Sequence, residues 1–378
     1  MDLVAALRCA AARAGLAGLG IASAEPFPDT RRALEERARA GLHGALRFTY
    51  RDPDAATDVR GSFPWAESLV VASWGYLPAA GSPGPPRAGA GRVARFATAD
   101  HYRPLRAGLE SLADVLRAAG RRAEVLCDDG RLVDRAAAVR AGLGWWGKST
   151  MVLSPGQGPW LLLGSVVTDA CLPAGAPTRR TCGTCTACLP ACPTGALIAP
   201  GVLDARRCLA ALAQGRGPIP LEYRRAMGDR LYGCDACLEA CPPGRRGLAA
   251  APQGRGRVDL AGLLGAGDDS LRRRFGHWYL PGRRVRYLRR NALVAVGNAG
   301  GGEARRAAAG YLEHADPLLR GHAVWALGAL GGPDARAALA AAARREGDLS
   351  VRAEIRRAWA EAERGAGAGG TRRAGSLR

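Results

Sequence analysis

Eight of the eleven cysteines fall between Cys182 and Cys241, and their spacing defines the chemistry open to the chain. Cys182, Cys185, Cys188 and Cys192-Pro193 form a C-x2-C-x2-C-x3-C-P run. Thiolates at this spacing ligate 4Fe–4S clusters, the fourth reaching across to a second cluster where there are two. A truncated run follows at Cys234, Cys237 and Cys241-Pro242. Four thiolates and three leave one ligand short of two clusters, and Cys208, between the runs, completes eight. Crossing over gives Cys182, Cys185, Cys188 and Cys241 for one cluster and Cys192, Cys208, Cys234 and Cys237 for the other. Zinc also takes C-x2-C pairs, but it has no use for four closely spaced Cys before a proline. A disulfide framework belongs to small secreted domains, not to 378 residues holding 11 Cys.

Clusters alone only move electrons, so a redox enzyme needs a further site. Cys127-Asp128-Asp129-Gly130 lies between a predicted strand and a predicted helix, and ligands of α/β folds gather at the carboxyl ends of strands. An Asp there donates a proton if burial keeps it protonated; the alternative is a helix N-cap, which Asp favours. In Ala141-Gly-Leu-Gly-Trp-Trp-Gly-Lys-Ser-Thr150 the glycines permit close backbone approach to a flat ligand and the Trp rings offer stacking faces. The same residues would also make a tight turn against the core. The stretch lacks the spacing of a phosphate-binding P-loop. Its Lys148 is the only lysine in the chain.

The elements that must position these groups follow from periodicity. Helices are expected over 2–18 and 30–41, and a buried strand over Leu69–Tyr76. A Pro-, Gly- and Ala-rich loop is expected from Leu77 to Gly91. Leu105, Leu109, Leu112 and Leu116 mark one face of a helix ending at Gly120. A strand at Ala123–Cys127, a helix at Leu132–Ala141 and a strand at Trp160–Thr168 complete an α/β domain over 1–174. Residues 175–250, poor in regular pattern, form a ferredoxin-like domain with two clusters. Leu288-Arg-Arg-Asn-Ala-Leu-Val-Ala-Val-Gly297 is echoed by Leu319-Arg-Gly-His-Ala-Val-Trp-Ala-Leu-Gly328, with a fainter copy from Val351. Offsets of 31 and 32 residues (Arg289, Arg320, Arg352) predict all-α HEAT-like repeats over 251–364. Residues 365–378, rich in Gly, Ala and Arg, read as a disordered tail.

Charge then narrows the partner. The net charge of +20 points to a polyanion. Residues 271–378 hold 21 Arg against 9 acids, a net of +12, and Arg272–Arg290 contains eight Arg and no acid, with Phe275, His277, Trp278, Tyr279 and Tyr287 interleaved. Arginine with aromatics suits phosphate contacts and stacking on unpaired bases, and paired helices would offer them on a concave basic surface; the alternative is a solvated helix face. No apolar run reaches membrane-spanning length. Asp2, Arg8 and Arg13 interrupt the N-terminal alanines, so no signal peptide is expected, nor does Arg31-Arg32 lead an export signal. A cytoplasmic chain is expected.

Asp128-x-Gly, Arg140-Ala-Gly-Leu-Gly-Trp-Trp-Gly-Lys148, the Cys182–Cys192 run, the 16-residue step to Cys208 and Gly228-Asp-Arg-Leu-Tyr-Gly-Cys234-Asp-Ala-Cys together resemble the epoxyqueuosine reductase family over nearly the whole chain. The resemblance implies an enzyme with cobalamin and two 4Fe–4S clusters. It would reduce the epoxide of epoxyqueuosine to queuosine at the wobble position of a tRNA anticodon, the last step of queuosine biosynthesis. Electrons would come from an unidentified reductant or a flavodoxin/ferredoxin system, and the chain would be a monomer. Asp128 matches the family's proton donor and a cobalamin contact. Val152, Leu163, Gln214 and Leu231-Tyr232-Gly233-Cys234 match further cobalamin-contacting positions, several through backbone. The repeats would hold the anticodon stem-loop, with Lys148, Arg283, Arg284, Arg286, Arg289 and Arg290 as candidate RNA contacts. No Asp-x-His-x-x-Gly cobalamin motif is present, so that cofactor is implied by the resemblance alone. Two departures bear on the roles: Asp129 stands where the family has Ser or Thr, and Leu209-Ala-Ala-Leu-Ala-Gln214-Gly replaces the usual Ile-Ser-Tyr-Leu-Thr. Competing readings are a reductive dehalogenase, which pairs cobalamin with two clusters, a ferredoxin-like electron carrier on a nucleic-acid-binding scaffold, and a HEAT-like repair protein with structural clusters.

Overall fold

This computed structural model describes residues 2–77, 84–248 and 256–368, the last eight by backbone alone. Among the described residues eleven strands run in chain order as β1 Gly18–Ser23, β2 Ser68–Gly75, β3 Ala90–Val93, β4 Ala123–Leu126, β5 Trp145–Trp146, β6 Val152–Leu153, β7 Leu161–Thr168, β8 Leu197–Ala199, β9 Val202–Leu203, β10 Arg230–Tyr232 and β11 Arg257–Asp259. The chain divides into two compact units, Met1–Ser82 with Arg95–Ala211 and Asp235–Arg255, and Pro83–Ala94 with Leu212–Cys234 and Gly256–Arg378. Residues 83–94 and 212–234 therefore fall with the C-terminal repeats and not with the elements that flank them in sequence.

The first unit is built on a sheet of order β1-β2-β7-β4. Every pairing in it is antiparallel, with β2 and β7 in register from Ser68–Thr168 to Gly75–Leu161. Successive side chains of a strand point to opposite faces, and both faces here are covered. Val70, Ala72, Leu162 and Val166 pack against Leu7, Ala10, Leu105, Leu109, Leu112 and Leu116 of the Leu3–Arg13 and Tyr102–Ala118 helices. On the other face Leu69, Val71 and Val167 meet Phe27, Leu132 and Ala136–Ala138. Burial on both sides explains why β2 reads as a largely apolar run. The expected mixture of strands and helices is present, but the carboxyl-end rule for parallel sheets does not apply to an antiparallel one. The helix expected over 2–18 stops at Arg13, and the Gly-containing stretch behind it forms β1.

The second unit holds the small sheet β10-β3-β11 and the repeats. Ala90 and Gly91, expected in a loop, belong to β3, and residues 78–83 of that loop lie outside the described residues. The helices Arg286–Ala299, Pro317–Leu330 and Leu349–Ala368 carry the echoed segments. Leu288, Leu319 and Val351 are buried at one repeat position, Ala292, Ala323 and Ile355 at another, and Ala295, Ala326 and Ala358 at a third. Gly297 and Gly328 set how closely neighbouring helices approach. A Cβ on Gly297 would stand 2.6 Å from the Trp325 ring, and one on Gly328 would stand 2.8 Å from Ala358 Cβ. The Leu349–Ala368 helix continues past residue 365, and the rest of the expected tail, 369–378, lies outside the described residues. Among the described residues no helix is long and apolar enough to cross a membrane.

Candidate active site and cluster-binding segment

Asp128 follows β4 and adopts the left-handed conformation, φ +57°. That conformation costs an L-residue roughly 1–2 kcal/mol, and Asp is among the few types that visit it. The N-cap alternative fails, because the following helix begins only at Asp134, behind a Val133 cap with no side-chain bond. Burial pushes the Asp128 carboxyl up; Arg106 and Arg135 work against this and Asp129 adds to it. Arg106 Nη2 also donates to Cys127 O at 2.8 Å, pinning the residue before Asp128 from the Tyr102–Ala118 helix. Asp129 is of the opposite kind. Arg131 grips both its oxygens, Nε to Oδ1 at 3.0 Å and Nη2 to Oδ2 at 2.7 Å, and holds its carboxyl below the usual range. Of the two adjacent acids, only Asp128 is suited to carry a proton.

Sequence reasoning missed a third acid. Asp134 opens its helix half-buried, with Oδ1 enclosed and without a hydrogen-bond partner. Burial first, and then the Asp128 charge, hold its carboxyl well above the carboxylate range. The same surroundings raise the Tyr102 hydroxyl, by burial and then by Asp128, and burial pushes the Cys127 thiol to about 12. The available signal was an Asp six residues beyond Asp128, placed where a helix N-terminus would normally favour the charged form.

The glycine- and Trp-rich loop is a packing feature. A Cβ on Gly144 would lie 2.2 Å from Leu153 O, and one on Gly142 (φ +76°) would lie 2.5 Å from Ala176 O. These glycines admit the chain's own backbone, so the expectation of a ligand-facing glycine loop gives way to the turn alternative. Trp145 and Trp146 form β5 against Val152 and Leu153 of β6. Trp146 stays 46% exposed, so one stacking face survives. Lys148 Nζ donates to Gly183 O.

The thiols of the first set come together. Cys188 is buried, and after burial itself the charges of Cys182, Cys241 and Cys185 push its thiol up. Cys241 responds in the same way to burial and to Cys182 and Cys185. Yet among the described residues no three His, Cys, Asp or Glu side chains converge on a single metal ion. A zinc ion, with Zn–S near 2.3 Å, draws its sulfurs to within about 4 Å of each other. No disulfide joins any of the eleven cysteines. In the second set, Cys192 Sγ accepts from Ala196 N at 3.2 Å; burial opposes the thiolate, but bonds from Thr194, Leu197 and Ala196 prevail and lower its pKa. Arg95, 4% exposed, fastens the second run. Its N–H donates to Asp235 Oδ2 at 2.8 Å, and its guanidinium reaches Asp235 at 3.1 Å and Glu239 at 2.6 Å.

The candidate cobalamin contacts are of two kinds. Val152, Leu231 and Tyr232 are buried, while Leu163 and Gln214 are partly exposed. The Tyr232 ring stacks on Trp278 with centroids 4.4 Å apart, and its hydroxyl donates to Tyr279 O. Gly233 follows at φ +72°. The segment Leu231–Cys234 thus turns its large side chains inward and has a bare α-carbon between them and Cys234, which fits contact to a flat ligand through backbone.

The candidate RNA contacts separate sharply. Arg290 is withdrawn: it is fully buried, its guanidinium donates to the carbonyls of Leu212, Ala213, Gly215 and Gly217, and burial lowers its pKa to about 10. Arg289 is largely buried and paired with Asp268, and Arg286 is paired with Asp316 at 2.8 Å. Arg283 and Arg284 are exposed, as are Arg272–Arg274, His277 and Tyr279.

Fold and site together define an iron–sulfur oxidoreductase with a C-terminal helical-repeat domain. Residues 181–244 match the 4Fe–4S double cluster binding domain and residues 284–360 match HEAT repeats. Epoxyqueuosine reductase of Bacillus cereus is 32% identical over 357 residues, spanning 91% of this chain and 93% of that protein. That of Xanthomonas campestris is 40% identical over 247 residues, 62% of this chain and 69% of that one. A crystal structure of epoxyqueuosine reductase with an epoxyqueuosine-modified tRNA-Tyr stem loop superposes with a TM-score of 0.86 at 29% identity, covering 96% of this chain and 99% of that one. The chain belongs to the epoxyqueuosine reductase family.

Proposed function

We propose that this chain reduces the epoxide of epoxyqueuosine in a tRNA anticodon to the cyclopentene of queuosine. The reaction consumes two electrons and two protons, breaks both C–O bonds and releases water. The observation that carries the site assignment is Asp128: left-handed, with its carboxyl pushed up, and adjacent to a carboxylate that Arg131 holds ionised. A carboxyl that holds its proton above the ordinary carboxylate range can deliver it to the epoxide oxygen as negative charge develops there.

The remaining residues supply electrons and grip. Cys182, Cys185, Cys188 and Cys241 would hold one 4Fe–4S cluster and Cys192, Cys208, Cys234 and Cys237 the other, which would supply one-electron transfer. Asp128, Val152, Leu163, Gln214 and Leu231–Cys234 hold cobalamin, whose cobalt, when bound, accepts single electrons and delivers reducing equivalents to an electrophilic carbon. Arg283 and Arg284, with the exposed Arg272–Arg274, His277 and Tyr279, hold RNA phosphates and bases. Such a reaction on tRNA belongs in the cytoplasm, with the chain acting as a monomer beside a separate one-electron donor.

The test begins with iron and cobalt content after anaerobic loading with cobalamin and desalting. Eight irons and one cobalt per chain are expected. Asp128→Asn should keep both and lose turnover on an epoxyqueuosine stem-loop by a factor of about 10²–10⁴, the usual contribution of a general acid. Unchanged turnover would remove Asp128 from the mechanism, and eight irons without cobalt would favour an electron carrier on an RNA-binding scaffold.

A further inference from the structure

Asn291, His322 and Glu354 stand 31 and 32 residues apart, the same position in each successive repeat, two residues beyond Arg289, Arg320 and Arg352. Each carries a polar side chain where neighbouring positions are filled by apolar core, and each directs it to one segment of the chain. Asn291 Nδ2 donates to Ala213 O at 2.9 Å. His322 Nε2 accepts from Ile219 N at 3.2 Å while its Nδ1 bonds Leu318 O at 2.7 Å. Glu354 takes Arg224 in a two-pronged pair, Nη2 to Oε1 at 2.8 Å and Nη1 to Oε2 at 3.1 Å. Arg224 Nε in turn donates to Ile219 O at 2.9 Å.

Three of the side chains are out of water, Asn291 at 0%, His322 at 1% and Arg224 at 2% exposed, and Glu354 is partly buried. Arg290 adds its bonds to the carbonyls of residues 212–217, and Asn298 Nδ2 donates to Arg224 O at 2.7 Å and Gly228 O at 3.0 Å. Residues 212–228 are thereby fixed at four levels along the corresponding helices of three successive repeats. The repeat position is committed to the chain itself.

The held segment includes Gln214 and leads directly into Leu231–Cys234. We infer that Asn291, His322 and Glu354 are positioning residues for the redox site: a repeat-phased ladder that fixes the backbone presenting Gln214, Leu231–Gly233 and the cluster ligand Cys234. The inference rests on the assignment of those residues to cobalamin and to the second cluster. A solvated loop could offer the same atoms but would incur the cost of ordering them at each binding event; a largely buried, bidentate pair in the third repeat removes that cost beforehand.

Glu354→Ala and Glu354→Gln, with His322→Phe and His322→Gln, test it in the full chain loaded with iron and cobalamin. Glu354→Ala should retain cobalamin at least about tenfold less tightly, as expected when one partner of a largely buried ion pair is removed. It should also shift the second-cluster EPR signal, leave the first-cluster signal in place, and keep stem-loop affinity within about twofold. Glu354→Gln, which can still accept from Arg224, should recover most of the loss, and the two His322 variants should differ in the same sense because only Gln can accept from Ile219 N–H. Wild-type cobalamin retention and second-cluster EPR in both Glu354→Ala and His322→Phe would overturn the ladder. Parallel loss of both clusters, cobalamin and RNA binding, unrescued by the conservative variants, would overturn it as well, since that marks general unfolding. If the wild-type chain retains no cobalamin, the cofactor assignment fails on its own, and the second-cluster EPR then decides the ladder.

Discussion

Lys148 Nζ donates to the carbonyl of Gly183 at 2.7 Å, so the sole lysine of the chain is tied to the peptide that follows the first cluster cysteine. Gly183 is itself left-handed, φ +51°, and Lys148 O accepts from Gly201 N at 2.9 Å. The residue bridges the turn after β5 to the segment bearing Cys182 and Cys185. Lys148→Met should lose iron faster than wild type under a chelator, with the first-cluster EPR signal decaying first. Lys148→Arg should lie between them. Stem-loop affinity should hold; a fall in affinity with normal iron retention would restore Lys148 to the RNA contacts.

The contrast between Asp128 and Asp129 makes a pH prediction. Burial raises the Asp128 carboxyl, so its acid form persists above the normal carboxylate range, and the chemical step should slow as pH rises through that raised pKa. Asp129→Ser removes a neighbouring negative charge that helps raise it. The falling limb of the single-turnover rate against pH should therefore move to lower pH in Asp129→Ser. A limb that stays in place would show that another group supplies the proton.

The five arginines from 283 to 290 should separate by readout. Arg290→Met strips the donors from four carbonyls in a water-free site, each unpaired group costing about 1–3 kcal/mol, so the repeats should be destabilised by at least about 3 kcal/mol in denaturant unfolding. Arg283→Gln with Arg284→Gln should leave the unfolding midpoint unchanged, weaken stem-loop binding and flatten its salt dependence by about one unit of slope for each phosphate no longer neutralised. The reverse pattern would exchange their roles.

What the sequence made legible was covalent spacing and periodicity. The Leu105–Leu116 face and the 31-residue echo depend on local order, and the structure keeps them; the cysteine spacing is equally local, and residues 181–244 match the double-cluster domain. Pairing was not legible: nothing in Leu69–Tyr76 or Trp160–Thr168 distinguishes antiparallel from parallel neighbours once both faces are buried. Charge is legible as a total but not by destination. Arg290 and Arg283 look alike as residues in a basic run, and only the carbonyls of Leu212 to Gly217 decide that one is structural. Gly144 misled for the same reason, since a glycine cannot announce whether a ligand or Leu153 O will occupy the space its side chain vacates. Asp134 escaped because a lone acid at a helix start is ordinary until its oxygen is found enclosed and unpaired.

His322 adds a dependence of stability on pH. Burial, and then the nearby Arg224 and Arg290 guanidinium groups, hold its imidazole pKa well below the ordinary value, so it is neutral when folded and accepts from Ile219 N–H. In the unfolded chain it titrates near 6.5. Below that pH the unfolded state binds a proton the folded state refuses, so stability should be full above pH 6.5 and fall as pH drops, by up to about 1.4 kcal/mol per unit for this one group. Glu346 and Asp348, whose pKa values are lowered by Arg320 and Ser350 respectively, contribute a loss of their own only in the carboxylate range below. Urea unfolding of the wild type between pH 7 and 5.5 should therefore show a slope that His322→Gln lacks. Equal slopes in the two proteins would mean that His322 is charged in the folded repeats, and the bond from Ile219 N–H to its ring would then have to be replaced by another acceptor.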